Sequence, residues 1–133
     1  MSTTYTGSGL YLKFGTTTLQ ADYRSFTPAQ SMGLEDASAG ADTGISRLST
    51  LKDSTYSLTM RAPAGGTAAW AALAEGTSGT LEWGPEGTAT NKPKRTVTAI
   101  VESREEGLSY NGVTEWSITW QQNDTTGVVN GNY

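Results

Sequence analysis

Thr114-Glu115-Trp116-Ser117-Ile118-Thr119-Trp120-Gln121 alternates without a break. Trp116, Ile118 and Trp120 share one side of the chain, and Glu115, Ser117, Thr119 and Gln121 share the other. That is the two-residue period of a strand with one face buried. Each large apolar side chain on the buried side is worth roughly 1.5–3 kcal/mol when withdrawn from water. This strand therefore marks the core, and Trp116, Ile118 and Trp120 are core residues.

Working outward, the same period recurs upstream. Val97, Ala99 and Val101 interleave with Thr96, Thr98 and Ile100, and Arg104-Glu105-Glu106-Gly107 leads towards Asn111-Gly112, the strongest hairpin signal in the chain. Thr80-Leu81-Glu82-Trp83 turns Leu81 and Trp83 inward, adding Trp83 to the core, and Gly84-Pro85-Glu86-Gly87 is a turn. Thr88 to Arg95 reads as a polar loop. Tyr56, Leu58 and Met60 alternate with Ser57, Thr59 and Arg61 as another strand. Between them, after Pro63-Ala64-Gly65-Gly66, Thr67 is placed to cap a short helix through Ala68–Ala74, closed by Gly76, with Trp70, Leu73 and Ala74 as its apolar stripe. So short a helix needs a sheet to dock on. Near the N-terminus, Leu10, Leu12 and Phe14, then Leu19, Ala21 and Tyr23, suggest a hairpin around Gly15-Thr16.

Three stretches lack such a period. Residues 1–8 read as a loose N-terminal arm, residues 124–133 as a frayed C-terminal tail, and residues 28–53 as one long loop. In that loop Leu34, Ile45 and Leu48 are isolated apolar anchors among Glu35, Asp36 and Asp42. A loop of this length in a small domain is either mobile surface or an arm ordered on a neighbouring molecule. The second reading makes Leu34, Asp36, Asp42, Ile45 and Leu48 the residues of an inter-subunit clasp. The expectation is one mainly β domain over residues 1–133, with about six strands and one short flanking helix.

Composition bounds the function. The 133 residues carry no cysteine and no histidine, which removes thiolate zinc sites, disulfides, Cys nucleophiles and the commonest general base. No metal or other cofactor is expected. Nothing at Met1-Ser2-Thr3-Thr4 resembles a leader, and no run approaches the roughly 18 apolar residues of a membrane span, so a chain kept in solution without a membrane partner is expected. A net charge of −4 disfavours tight binding of DNA or RNA. Low mean hydropathy, −0.42, with abundant Gly and Thr points to strands that are polar on both faces and to edges that another copy of the chain could cover.

Local chemistry is thin. Asp42-Thr43-Gly44 matches the tripeptide of dimeric aspartic proteases, but Ser38-Ala39-Gly40-Ala41 precedes it instead of an apolar strand, so an Asp bonding its own backbone is expected. Glu105 and Glu106 are adjacent and point to opposite faces, so they do not form an acid/base pair. Glu35, Asp36 and Asp42 match no alternating calcium loop. Lys92, Lys94 and Arg95 form either a solvated turn or a contact to an acidic patch on another subunit. A sugar platform would need tryptophans on the polar phase, whereas Trp83, Trp116 and Trp120 stand in phase with aliphatic residues. No enzyme activity is expected.

Ala37-Ser38-Ala39-Gly40-Ala41-Asp42-Thr43, the helix around Ala69-Trp70, and Gly79-Thr80-Leu81-Glu82-Trp83-Gly84-Pro85-Glu86-Gly87-Thr88 followed by Lys92-Pro93-Lys94 resemble the tail tube (major tail) proteins of long-tailed bacteriophages. The likeness runs in order from Leu10 to Gln121. It implies a β-sandwich or barrel-like fold with one flanking helix and a long inter-subunit loop. It also implies a structural virion protein whose copies, six to a ring, close and stack into the tube through which genomic DNA is ejected. Implied partners are the chain itself, tape-measure and tail-tip or terminator proteins, and DNA in passage. Implied location is the virion tail, assembled in the host cytoplasm. Glu82, Glu102 and Glu115, on the polar phases of their strands, are candidate acidic residues facing the bore. The alternative, from another class, is a capsid decoration or carbohydrate-binding β-sandwich module.

Overall fold

The computed structural model describes residues 6–133. Its elements are a 3-10 turn at Gly7–Gly9, strands β1 (Tyr11–Phe14), β2 (Thr17–Thr18), β3 (Tyr23–Asp36) and β4 (Arg47–Arg61), helix α1 (Thr67–Ala72), and strands β5 (Ser78–Gly84), β6 (Pro93–Gly107), β7 (Glu115–Gln122) and β8 (Val129–Asn132). All strands join one antiparallel sheet in the order β2-β1-β5-β6-β7-β4-β3, with β8 on β6.

The sheet bends over itself because β6 serves two layers. Its first half pairs with β5, from Trp83↔Arg95 to Ser78↔Ile100. Its second half pairs with β7, from Ala99↔Gln122 to Gly107↔Glu115, with a register shift between Val101 and Ser103 that turns the strand from one layer into the other. Leu12 and Phe14 of β1 with Leu81 and Trp83 of β5 thereby face Tyr56, Leu58 and Met60 of β4 and Trp116, Ile118 and Trp120 of β7. Aromatic pairs bridge the layers: Phe14 lies 5.5 Å from Trp120, and Trp83 lies 5.4 Å from Tyr56 and 5.6 Å from Phe26, centroid to centroid. Trp83, Trp116, Ile118 and Trp120 are all buried.

Helix α1 closes the end of the sandwich where Trp116 sits. Leu73 at its C-cap is fully buried, and Trp70 packs 4.8 Å from Trp116. Arg104 fixes it: its guanidinium lies 4.2 Å over the Trp70 ring, donates to Trp70 O, and its Nε donates to Glu75 Oε1 at 2.8 Å. The helix begins at Thr67 with Gly66 as its N-cap and no side-chain cap, so Thr67 is its first residue and not its cap.

Several elements differ from the sequence expectation. Residues 28–53 are mostly strand and not loop: β3 and β4 form a long hairpin, and only residues 37–46 are irregular. Both faces of its distal half are exposed, so no alternation of apolar and polar residues could betray it. Pro28 is tolerated because β3 is an edge strand. The supposed frayed tail, residues 124–133, contains β8, which pairs Val129–Asn132 with Pro93–Thr96. Asp124 ties the loop before it to β6: its carboxylate accepts from Thr126 N in the loop at 2.9 Å and from Thr98 N in β6 at 3.2 Å. The hairpin partner of β1 is only Thr17–Thr18; Leu19 turns into the core, and Tyr23 already belongs to β3. β6 and β7 form a hairpin, yet Asn111-Gly112 is not its tight turn. The strands part at Gly107↔Glu115, and neither Asn111 nor Gly112 takes the positive φ a two-residue primed turn requires. Of the N-terminal arm over residues 1–8, residues 1–5 lie outside the described part, and Gly7 accepts a hydrogen bond from the Tyr23 hydroxyl.

Candidate functional site

The outward face of the layer β3-β4-β7-β6 is built from short polar side chains. Ser25 and Thr27 pair with Thr59 and Ser57, and these in turn with Ser117 and Thr119. Ser103 and Glu105 continue the row on β6. Over this face Arg24 pairs with Glu115 at 2.9 Å, Arg61 with Asp22 at 3.2 Å, and Gln121 donates to Glu102 at 2.7 Å. Asp53, Glu102, Glu105 and Glu115 against Arg24 and Arg61 leave this face acidic.

Both edges of the layer are open among the described residues. β3 is bonded along one side to β4 over its whole length, from Tyr23↔Met60 to Asp36↔Arg47, and no strand lies on its other side. At the opposite edge, β5 stops pairing with β6 at Ile100, so residues 102–107 carry β7 alone. A long run of unpaired N–H and C=O groups is a template for another strand.

Beyond Thr55, the last β4 residue bonded to β7, the β3–β4 hairpin continues as a two-stranded ribbon, held at its base by Ser54 Oγ donating to Gln122 Oε1 at 2.8 Å and Gln122 Nε2 donating to Lys52 O at 3.3 Å, and free from Leu51 outward. At about 3.3 Å per residue its five residues from 47 to 51 project roughly 16 Å. Such a ribbon is marginal alone in water. It nevertheless carries Met32, Leu34, Leu48 and Leu51 exposed, with Ile45 in the tip. The tip is tied by its own polar groups. Asp36 Oδ1 accepts from Ser38 N at 2.9 Å, Asp42 Oδ2 from Ala39 N at 2.6 Å, and Ser38 Oγ from Ser46 N at 2.7 Å. The hydrogen bonds from Ser38 hold the Asp36 carboxyl below its usual pKa.

The sequence-predicted clasp residues therefore divide. Leu34, Ile45 and Leu48 are exposed, whereas the carboxylates of Asp36 and Asp42 are engaged by the loop that carries them. The three candidate bore carboxylates also divide. Glu102 and Glu115 lie on the polar face just described. Glu82 points out from the other layer, where it accepts from the Tyr133 hydroxyl at 3.1 Å and sits 3.9 Å from Lys94. Burial, and then the bond to Glu82, raise the Tyr133 pKa. One bore cannot be lined by all three, because outward faces of two packed layers look in opposite directions. Glu105 and Asp53 belong beside Glu102 and Glu115; the phase of β7, carried across the ladder, could have found Glu105, but the register shift at Val101 hid it.

Of the basic run, Lys92 lies 3.8 Å from Glu86 and Lys94 beside Glu82, both within the same chain. Arg95 turns instead into an apolar cavity beside Trp83. Among the described residues no three acidic side chains gather to hold a metal ion, and no helix is long and apolar enough to cross a membrane. With Trp83, Trp116 and Trp120 buried and Trp70 beneath Arg104, the tryptophans form no exposed stacking platform for a sugar.

This architecture is the tail-tube fold. The chain is similar to the subunit of the SPP1 tail tube, at 17% identity and a TM-score of 0.76 over 96% of this chain and 79% of that one. It is also similar to the tail of an empty gene transfer agent particle resolved with C6 symmetry, at 11% identity and a TM-score of 0.74 over 98% and 99% of the two chains. A third likeness is to a chain of the sheath-tube complex of an extracellular contractile injection system, at 12% identity and a TM-score of 0.72 over 95% and 90%. No protein-family model and no curated protein sequence matches the chain.

Proposed function

We propose that this chain is the structural subunit of a virion tail tube: copies close into rings, six to a ring, and the rings stack into a channel for DNA leaving the particle. The observation that carries this is the four-stranded layer β3-β4-β7-β6, open at both edges, with a wet polar face. Pairing β3 of one copy with the free edge of β6 in the next would continue this layer around a ring and remove both of its edges. The Ser/Thr-lined face would then form the bore. Its excess of carboxylates suits a wall over which DNA slides, since a basic wall would bind phosphates and release their counterions. The β3–β4 ribbon serves as the clasp to a neighbouring copy. The reading involves no catalytic step and no cofactor. Its partners are further copies, tape-measure and tail-tip or terminator proteins, and DNA in transit, with assembly in the host cytoplasm.

Electron microscopy of the purified chain over a range of concentrations, alone and with tape-measure and initiator partners, tests the reading. Rings or tubes are expected. Monomers under every condition would end it. Deleting residues 34–48 removes most of the ribbon and should abolish assembly while leaving a folded monomer.

A further inference from the structure

The ribbon needs a surface of matching chemistry, and the molecule carries one at a distance from it. A cavity of about 260 Å³ opens beside β3, lined by Leu10, Tyr23, Phe26, Pro28, Trp83 and Arg95 among others. An apolar cavity of ~150 Å³ already holds a benzene-sized group, so this one admits a leucine with room beside it. Arg95 shares the phase of Trp83, its partner in the β5–β6 ladder, and is half-buried. Whereas Lys92 and Lys94 each sit beside a carboxylate, Arg95 has no ion-pair partner among the described residues. A guanidinium in an apolar wall is best matched by a carboxylate brought to it.

The ribbon presents that combination. Glu35 stands opposite Leu48 in the β3–β4 ladder, so a carboxylate and an apolar side chain, with Cβ atoms about 5 Å apart, project from one face. Leu48 is 62% exposed, and Glu35 is exposed without an ion-pair partner among the described residues. The pair cannot fill the cavity of its own molecule. Gln30, at the cavity, lies on the same extended strand five residues earlier, roughly 17 Å away. The odd-numbered Glu35 also faces the opposite side of that strand from Gln30.

We infer that the Glu35–Leu48 face of one copy's ribbon seats in the Trp83–Arg95 cavity of a second copy, with Leu48 in the apolar part and Glu35 paired to Arg95. This rests on the tube-subunit reading and gives its clasp a receiving site. The two patches differ, so each copy gives one ribbon and receives another, and the contact propagates through the assembly instead of closing into a pair.

Charge exchange and cross-linking test it. Glu35→Arg and Arg95→Glu should each raise the concentration needed for assembly at least about tenfold, and the double variant should restore it. Circular dichroism melts establish that each variant is folded. Since the chain has no cysteine, mixing Leu48→Cys and Gln30→Cys chains under mild oxidation should give a covalent dimer only in assembled material, and Leu48→Cys mixed with Thr67→Cys should give none. The cross-link reads the contact even if Arg95→Glu fails to fold. If the wild-type chain forms tubes while the cysteine variants give no cross-link and the double charge variant no rescue, this contact is overturned and the tube reading stands. A wild-type chain that stays monomeric with its partners would overturn both.

Discussion

Replacing Leu34 and Leu48 together by serine separates the stability of the subunit from that of its assembly. In the monomer Leu34 is 58% and Leu48 62% exposed. Full burial of a leucine is worth roughly 1.5–3 kcal/mol, so covering the remaining six-tenths in an assembly contributes about 1–2 kcal/mol per side chain. Lying on opposite faces of the ribbon, the two leucines together supply about 2–4 kcal/mol to its burial in the assembly, roughly a thirty- to a thousandfold change in the association constant. The monomer should lose at most ~0.5 kcal/mol per site, as exposed substitutions do, and its Tm should fall by no more than about 4 °C. Sedimentation velocity across a dilution series measures the first quantity and thermal melts of the dilute chain the second. A Tm lowered by about 8 °C or more would mean that these leucines hold their own subunit together. An unchanged assembly concentration would mean that nothing covers them. Either result refutes the role assigned to the ribbon.

Trp120→Ala should do the reverse. The residue is fully buried on β7 against Phe14 of β1, so about 3–5 kcal/mol is lost and the Tm of the dilute chain falls by more than ~10 °C, measured by circular dichroism. Asp124 carries an acid-sensitive contribution. Backbone hydrogen bonds from Thr126 and Thr98 depress its pKa, so the stability it lends is complete above the ordinary carboxylate value and drains away as pH falls below about 4. Urea midpoints between pH 6 and pH 3 should therefore fall less steeply for Asp124→Asn than for the wild type, and parallel slopes would exclude the effect. Changing Glu102 and Glu105 together to Lys should make assembled tubes retain double-stranded DNA in a gel-shift at low salt, with release as salt rises, while wild-type tubes do not. Equal retention by both would show that these residues do not face the bore.

The core was legible because burial writes a period into the chain. Trp116, Ile118 and Trp120 had to share a face with nothing polar between them in phase, and the same held for Leu81 with Trp83 and for Tyr56, Leu58 and Met60. The ribbon was not legible for the complementary reason. On β3 beyond Pro28 and β4 before Ser54, residues on both faces are exposed, so selection for burial leaves no alternation and Ser, Gly and Thr read as loop. Asn111-Gly112 misled because composition permits a tight turn without requiring one; residues 108–114 span the gap with neither residue left-handed. Arg95 was half legible: it stands in phase with Val97, Ala99 and Val101, which placed a charge on the core side, but grouping it with Lys92 and Lys94 obscured that.

By itself, the order of residues determined that this chain folds as antiparallel strands around a tryptophan-rich centre with one docked helix, and that cysteine and histidine chemistry is closed to it. Those properties are local, since periodicity and composition act within a few residues. Tertiary structure alone decided that β6 turns from one layer into the other, that Glu82 and Glu115 look out in opposite directions, and that β3 ends the sheet with its outer side unpaired among the described residues. Each depends on contacts between residues far apart in the chain, where loop closure and packing select one register among many that the local pattern allows.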